Sequence, residues 1–258
     1  MSPNAPGWLT ARPIAHRGLH DLAQGRAENS RAAAEAAIAG KFAIECDVQL
    51  SADGEAMVFH DFGLDRLTGV TGEVAATTAK ALAAMALKSG GDRILALPDF
   101  LALVAGRTPV ICEIKSAFHG DLRLAARAAR CAAAYPGPLA LKSFDPAVMG
   151  YLRANASALG IAHIPLGVVA QADYTTPLEE WDHLPREEQR ALGNFLHWRE
   201  TRPDFLSYGV ADLPHAVPFL CREALRLPVM TWTVRTPEAL ATARQWADQA
   251  IFEGDLGL

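Results

Sequence analysis

Eight short aliphatic runs, each followed by a polar or helical stretch, constrain this chain more than any other feature. They lie at 13–15, from 42 onward, and at 109–115, 139–141, 165–170, 204–208, 228–234 and 250–252. Helical segments separate them, at 31–39, 121–135, 147–157, around 186–201, 216–226 and 237–247. Ser30 or Asn29 can cap the first helix and Gly40 can close it. Short apolar runs suit strands buried on both faces, and their alternation with helices predicts a parallel sheet. Eight of them in 258 residues predict an α/β fold of the (β/α)8 type, a TIM barrel. An open doubly wound sheet is the main competitor, but no Gly-rich turn follows the first run. The chain reads as a single domain over 1–258. A small insertion follows the second strand, at about 62–108, where helices at 78–86 and 99–104 appear without a strong strand.

Two carboxylates interrupt the run that begins at Phe42. Side chains alternate along a strand, so Glu45 and Asp47 share one face and Ile44, Cys46 and Val48 take the other. Two buried anions side by side are costly without a cation between them. Asp53-Gly54 reads as a two-residue hairpin turn. That register sets Ala52 opposite Glu55 and His60 opposite Asp47, and one more loop residue would spoil it. Glu113 and Lys115 repeat the same spacing, so they too share an inward face, with Cys112 and Ile114 outward. The other strand ends carry His16-Arg17, Lys142-Ser143, Tyr208, Trp232, and Glu253 with Asp255. In a barrel these C-terminal ends form the active face.

Glu45, Asp47 and Glu113 are the candidate metal ligands. Oxygen donors without cysteine favour a hard cation, Mg²⁺ or Ca²⁺. Arg17 and Lys115 beside it suit a phosphoryl oxygen, and His16 or His60 supplies an acid or base. Taken singly, each piece has a plain explanation: a structural ion pair, turn chemistry at His60, a core position for Trp232. Compatible groups from four strand ends together point to a site. His20 and His119 are second-rank candidates. His163, His183, His197 and His215 read as surface or loop residues.

A net charge of −5 and a pI of about 5.9 argue against nucleic acid or an anionic membrane as partner. No run approaches the ~20 apolar residues of a membrane span. The first residues lack the basic start and apolar core of a signal peptide. Four scattered cysteines, 46, 112, 131 and 221, read as free thiols and favour a cytoplasmic setting. Nothing in the sequence specifies an oligomeric state.

The ordered motifs HRG (16–18), EN (28–29), E-x-D (45–47), DG (53–54), HD (60–61), L-x-R-x-T (64–68) and E-x-K (113–115) resemble the glycerophosphodiester phosphodiesterase family. SF at 143–144 and WTV at 232–234 extend the likeness along almost the whole chain. The resemblance implies metal-dependent hydrolysis of a small-molecule glycerophosphodiester to sn-glycerol 3-phosphate and an alcohol. It implies that Glu45, Asp47 and Glu113 bind the metal, that His16 and His60 act as general acid and base, and that Arg17 and Lys115 hold the phosphate, with Trp232 at the substrate. It also implies that the glycerol 2-hydroxyl attacks first, giving a cyclic phosphate that water opens. Ala27 stands where the family often has proline, Gly254-Asp255-Leu256 replaces its usual Thr-Asp-Pro, and 173–201 matches poorly. These differences fall at the pocket rim, where the alcohol group would lie. The alternatives are a lysophospholipase D-type enzyme acting on a lipid, a barrel that only binds a phosphorylated ligand, and a Schiff-base barrel using Lys115 or Lys142. Carboxylates crowded around Lys115 disfavour the last.

Overall fold

In the computed structural model the structure describes residues 5–176 and 180–258. Eight parallel strands close on themselves in the order β1 (Ile14–Ala15), β2 (Ala43–Leu50), β4 (Val110–Ile114), β5 (Leu139–Ser143), β6 (Leu166–Ala170), β7 (Phe205–Gly209), β8 (Val229–Val234) and β9 (Gln249–Phe252). β1 pairs with both β2 and β9, which closes the barrel. The remaining strand, β3 (Ala56–Val58), is antiparallel to β2. The α/β barrel expected from the sequence is therefore present, with an excursion after its second strand.

Alternation along each strand sorts residues between two environments. Inward-facing Ile14, Ala43, Ile111, Ala140, Phe205, Met230 and Ile251 form an apolar floor across the barrel, and Leu9 packs against it. Gly167 completes this floor, because a Cβ there would stand 2.3 Å from the Phe205 ring. Outward-facing Ile44, Cys46, Val48, Cys112, Ile114, Leu139 and Leu141 meet the ring of helices. Each fully buried aliphatic side chain of this kind contributes about 1.5–3 kcal/mol.

The helices are α1 (Arg31–Ala39), α2 (Asp65–Thr68), α3 (Ala79–Ala84), α4 (Leu97–Val104), α5 (Arg123–Ala134), α6 (Pro146–Ala154), α7 (Arg186–Gly193), α8 (Trp198–Thr201), α9 (Ala216–Glu223) and α10 (Pro237–Trp246). The Ser30 side chain caps α1 by accepting from Ala33 N–H. Gly40 closes α1 as its C-cap, as expected. It stays right-handed and Lys41 takes the left-handed turn, with φ 62°. A side chain at 40 would also meet the Phe42 ring at 2.7 Å. The helix expected around 186–201 is two helices, broken where Phe195 adopts φ 59°. Helix α4 returns to the barrel and packs on α1, β3 and α5. The chain between β3 and α4 builds its own small core from Phe59, Leu64, Leu67, Val74, Leu82, Leu87 and Ile94.

The hairpin register expected from a two-residue turn is wrong. Val48 pairs with Val58, Gln49 with Met57 and Leu50 with Ala56. Ser51 N–H donates to Glu55 O, so Ala52, Asp53 and Gly54 form the loop. Gly54 sits at φ 87°, as the left-handed residue of such a three-residue loop. The extra residue puts Phe59, not His60, opposite Asp47, and Phe59 N–H donates to Asp47 O. His60 lies past the paired segment, where Gln49 Nε2 holds its carbonyl oxygen at 2.9 Å.

Candidate active site

Two residues above the apolar floor, the inward positions turn polar at one end of the barrel. Ala43 gives way to Glu45 and Asp47, Ile111 to Glu113, Ala140 to Lys142, Ile14 to His16 and Met230 to Trp232. In the parallel register Asp47 lies beside Glu113, and Glu113 beside Lys142. A cavity of about 610 Å³ opens on this end. His16, Arg17, Asp47, His60, Glu113, Lys115, Lys142 and Trp232 all line it.

Glu45, Asp47 and Glu113 are buried, and ligand atoms from all three lie within 4.8 Å of one another. Buried anions at this spacing each cost several kcal/mol unless compensated. Cations surround them here. Arg17 Nε is 3.4 Å from Asp47 Oδ2. Lys115 Nζ is 3.2 Å from Glu113 Oε1. Lys142 Nζ is 2.9 Å from Glu113 Oε2 and 3.0 Å from Glu45 Oε1. Burial alone would raise Asp47 and Glu113, but His60 and Arg17 hold Asp47 low, and Lys142 and Lys115 hold Glu113 low. Burial alone would lower the two lysines, yet Glu113 holds Lys115 well above the usual lysine range and Glu45 with Glu113 does so for Lys142. Neither is then the neutral amine a Schiff base needs. Despite this crowding, Glu45 Oε1 is buried with no hydrogen bond. Its contact is the ion pair with Lys142 at 3.0 Å, and a buried all-oxygen donor set of this kind fits a hard divalent cation.

Each candidate histidine is held by its own carboxylate. His16 Nδ1 is 2.5 Å from Glu253 Oε1, and His60 Nδ1 is 2.7 Å from Asp61 Oδ1. Both carboxylates are kept well below the usual range against the effect of burial. His16, His20 and Arg235 do this for Glu253, and His60 with Arg66 for Asp61. An ionised carboxylate only accepts, so each Nδ1 carries the proton and donates it. Each Nε2 is left toward the site. That of His60 is 3.4 Å from Lys115 Nζ, and that of His16 is 3.9 Å from Glu45 Oε2.

A wider network fixes the cations. Arg17, at φ 56°, donates its backbone N–H to Glu45 Oε2 at 3.1 Å and its Nη1 to Glu28 Oε1 at 2.7 Å. Burial opposes ionisation of Glu28, but Arg66 and Arg17 bring its carboxyl down to about 2. Arg66 on α2 also binds both oxygens of Asp61, so one guanidinium ties the histidine's carboxylate to that of Arg17. Asn29 Nδ2 donates to Asp47 Oδ2 at 3.0 Å. Glu180 pairs with Lys115 at the cavity wall.

Sequence reasoning gave no site role to Glu28, Asp61, Arg66, Glu180 or Glu253, considered Asn29 only as a helix cap, and considered Lys142 only as a Schiff-base amine; Asn29 is instead a partner of Asp47. Motif positions 28–29, 61 and 66 were the available signal for Glu28, Asn29, Asp61 and Arg66. Glu180 lies in a segment without one. Two strand-end groups do not join the site. Tyr208 points into the outer core, where its hydroxyl is 2.9 Å from His215 Nδ1, and Asp255 is exposed. His215 caps α9. His20 approaches Glu253 at 3.8 Å, behind His16. His119 is exposed and meets the His183 ring at a tilt, with centroids 4.5 Å apart, outside the cavity lining. Burial pushes the Cys131 thiol up to about 11 and the Cys221 thiol up to about 12, so neither is poised as a nucleophile.

A model of the glycerophosphoryl diester phosphodiesterase family matches residues 16–256, the span from the first strand-end histidine to just past Glu253. The chain belongs to that family. It is thereby a phosphoric diester hydrolase. Solved structures share the fold. A phosphodiesterase from Oleispira antarctica, in complex with sn-glycerol 3-phosphate, is 20% identical with a TM-score of 0.72, over 93% of this chain and 91% of that one. A glycerophosphodiester phosphodiesterase from Thermotoga maritima is 21% identical with a TM-score of 0.67, over 93% and 92%. No curated protein matches the chain. Among the described residues no helix is long and apolar enough to cross a membrane.

Proposed function

We propose that this phosphodiesterase hydrolyses glycerophosphodiesters to sn-glycerol 3-phosphate and an alcohol, in a metal-dependent reaction with His16 and His60 as general acid and base. The observation that carries the reading is the pair of carboxylate-held histidines whose Nε2 atoms are left toward one cavity, beside the three-carboxylate cluster. Glu45, Asp47 and Glu113 would hold Mg²⁺ or Ca²⁺, which when bound supplies positive charge to the phosphoryl oxygens. Arg17 and Lys115 orient the phosphate by charge-assisted hydrogen bonds. The phosphate would take over Lys115 from Glu180. One histidine takes the proton of the attacking hydroxyl and the other gives a proton to the leaving oxygen. The product bound to the Oleispira protein supports the same product here. Free, buried cysteines are in keeping with a reducing, cytoplasmic setting.

The cavity lining also includes aromatic side chains, Phe62 and a cluster in which Phe144 contacts both Trp181 and Trp232. Trp232 is fixed there by its Nε1 donating to Ser207 O and by an edge contact with Phe144 at 5.4 Å. Such a wall suits an apolar part of the substrate, and it favours a second reading, a lysophospholipase D-type reaction in which the glycerol that keeps the phosphate carries an acyl chain and the head-group alcohol leaves. A panel of water-soluble glycerophosphodiesters and lysophospholipids, assayed for the phosphate monoester released, separates the two. Failure to cleave any of them rejects both.

A further inference from the structure

Lys142 is a buried cation for which the proposed chemistry has no use. It occupies the inward position of β5 directly above the apolar Ala140, and it is 2% exposed. Its ammonium touches Glu45 Oε1 and Glu113 Oε2. The other oxygens of those carboxylates have their own partners: Glu45 Oε2 accepts from Arg17 N–H, and Glu113 Oε1 faces Lys115. Lys142 thus stands against the two oxygens that are otherwise available to a metal.

We propose that Lys142 is an internal counter-cation that competes with the divalent metal for the carboxylate triad and keeps metal binding weak and exchangeable. Of the three cations that face the triad, Arg17 also pairs with Glu28 and Lys115 with Glu180, whereas Lys142 makes both of its ion pairs with triad carboxylates and so compensates them with no metal bound. A divalent ion would add two charges beside an ammonium that is 2% exposed and held between two carboxylates. It must also share Glu45 Oε1 and Glu113 Oε2 with that ammonium. The same contacts keep the cluster folded whenever metal leaves, since bare buried anions would repel. A phosphate-holding role for Lys142 would predict a different result, a raised KM at unchanged metal affinity.

The inference rests on the metal reading of the triad, and its test needs no turnover. Chelator-stripped protein is titrated calorimetrically with MgCl₂ and CaCl₂, and its melting temperature is followed with and without each salt. Lys142→Met should bind the metal roughly tenfold or more tightly, since a like charge in contact with the site is gone. Its metal-free form should melt lower and gain more on metal addition. Lys142→Arg keeps the charge and should stay within a few-fold of wild type. A Met variant with wild-type or weaker affinity overturns the inference. If that variant is unfolded when stripped, recovery of structure at metal concentrations below the wild-type Kd supports the competition, and no recovery at tenfold that concentration, for Lys142→Gln as well, overturns it. Wild type that binds metal but cleaves no diester leaves the inference standing and rejects the proposed function. Wild type that binds no divalent ion rejects both.

Discussion

His16 and Glu253 meet across the seam of the barrel, with Nδ1 of the histidine 2.5 Å from Oε1 of the carboxylate. They lie just beyond the paired residues Ala15 and Phe252 of the first and last strands. Closing the barrel therefore also sets the orientation of a candidate catalytic side chain. Arg235 donates to both oxygens of the same carboxylate, at 2.7 Å to Oε2 and 3.0 Å to Oε1. Glu253→Ala should leave His16 in place but free to rotate. We expect kcat to fall by roughly 10²-fold, the scale of a misplaced reacting group, with metal affinity unchanged in calorimetric titration. A variant with wild-type kcat would mean that Glu253 serves packing alone.

The histidines themselves should matter more than their partners. His16→Ala and His60→Ala should each lower kcat by roughly 10²- to 10⁴-fold, the usual contribution of a positioned acid or base. Both variants should fold and bind metal, because Arg17, Lys115 and Lys142 still compensate the triad. Turnover near wild type in either would remove that residue from the mechanism.

Metal dependence follows from the donor set. Treatment with a chelator should abolish hydrolysis, and Mg²⁺ or Ca²⁺ should restore it. Asp47→Asn should raise the metal Kd while the circular dichroism spectrum stays unchanged, since Asn29 can still reach the position from 3.0 Å. Full activity of stripped protein would sink the metal reading.

The inward pairs Glu45/Asp47 and Glu113/Lys115 were legible because strand alternation fixes them whatever the rest of the chain does. The same rule explains the outward Cys46 and Cys112. His60 was reached through a faulty register, since the sequence does not reveal that Ala52 joins the loop. It arrives at the site because the chain bends after Val58 and Gln49 secures its carbonyl oxygen. The Arg66 network was beyond reach for another reason. It joins Asp61 and the nearby one-turn helix to Glu28, 38 residues from Arg66, and only the folded excursion brings them together. Tyr208 was misplaced although alternation within β7 turns it outward, since Phe205 faces in, and Asp255 because alternation fixes no face once the last strand stops.

His197 offers a test away from the site. Burial pushes its imidazole down to about 4, against a smaller opposing pull from Glu200. The folded state therefore refuses a proton that the unfolded state accepts near 6.5. Stability from this group is full above about pH 6.5, declines as pH falls toward 4, and changes no further below that. The loss amounts to about 3 kcal/mol at most. Denaturant unfolding at pH 7 and pH 4.5 should show wild type losing more stability than His197→Leu over that interval. Equal losses would refute the assignment.

The substrate's own hydroxyl is the remaining test. The glycerol 2-hydroxyl sits one carbon from the esterified oxygen, so its attack on phosphorus closes a five-membered ring. Holding it there makes the step effectively unimolecular, which can be worth about 7–11 kcal/mol of the barrier. His16 and His60, each with Nε2 left toward the cavity by a carboxylate on Nδ1, can remove its proton and protonate the leaving alcohol. A 2-deoxy diester keeps the phosphate that Arg17 and Lys115 would hold, so its KM should change little. It offers no internal nucleophile, and water would have to be positioned from outside. Its kcat should fall by orders of magnitude. A cyclic phosphate should also accumulate transiently with the natural diester, visible by phosphorus NMR, and not with the analogue. Matched kcat values for the two substrates would mean that water attacks directly, and then the histidines act on water and the cyclising route does not operate in this protein.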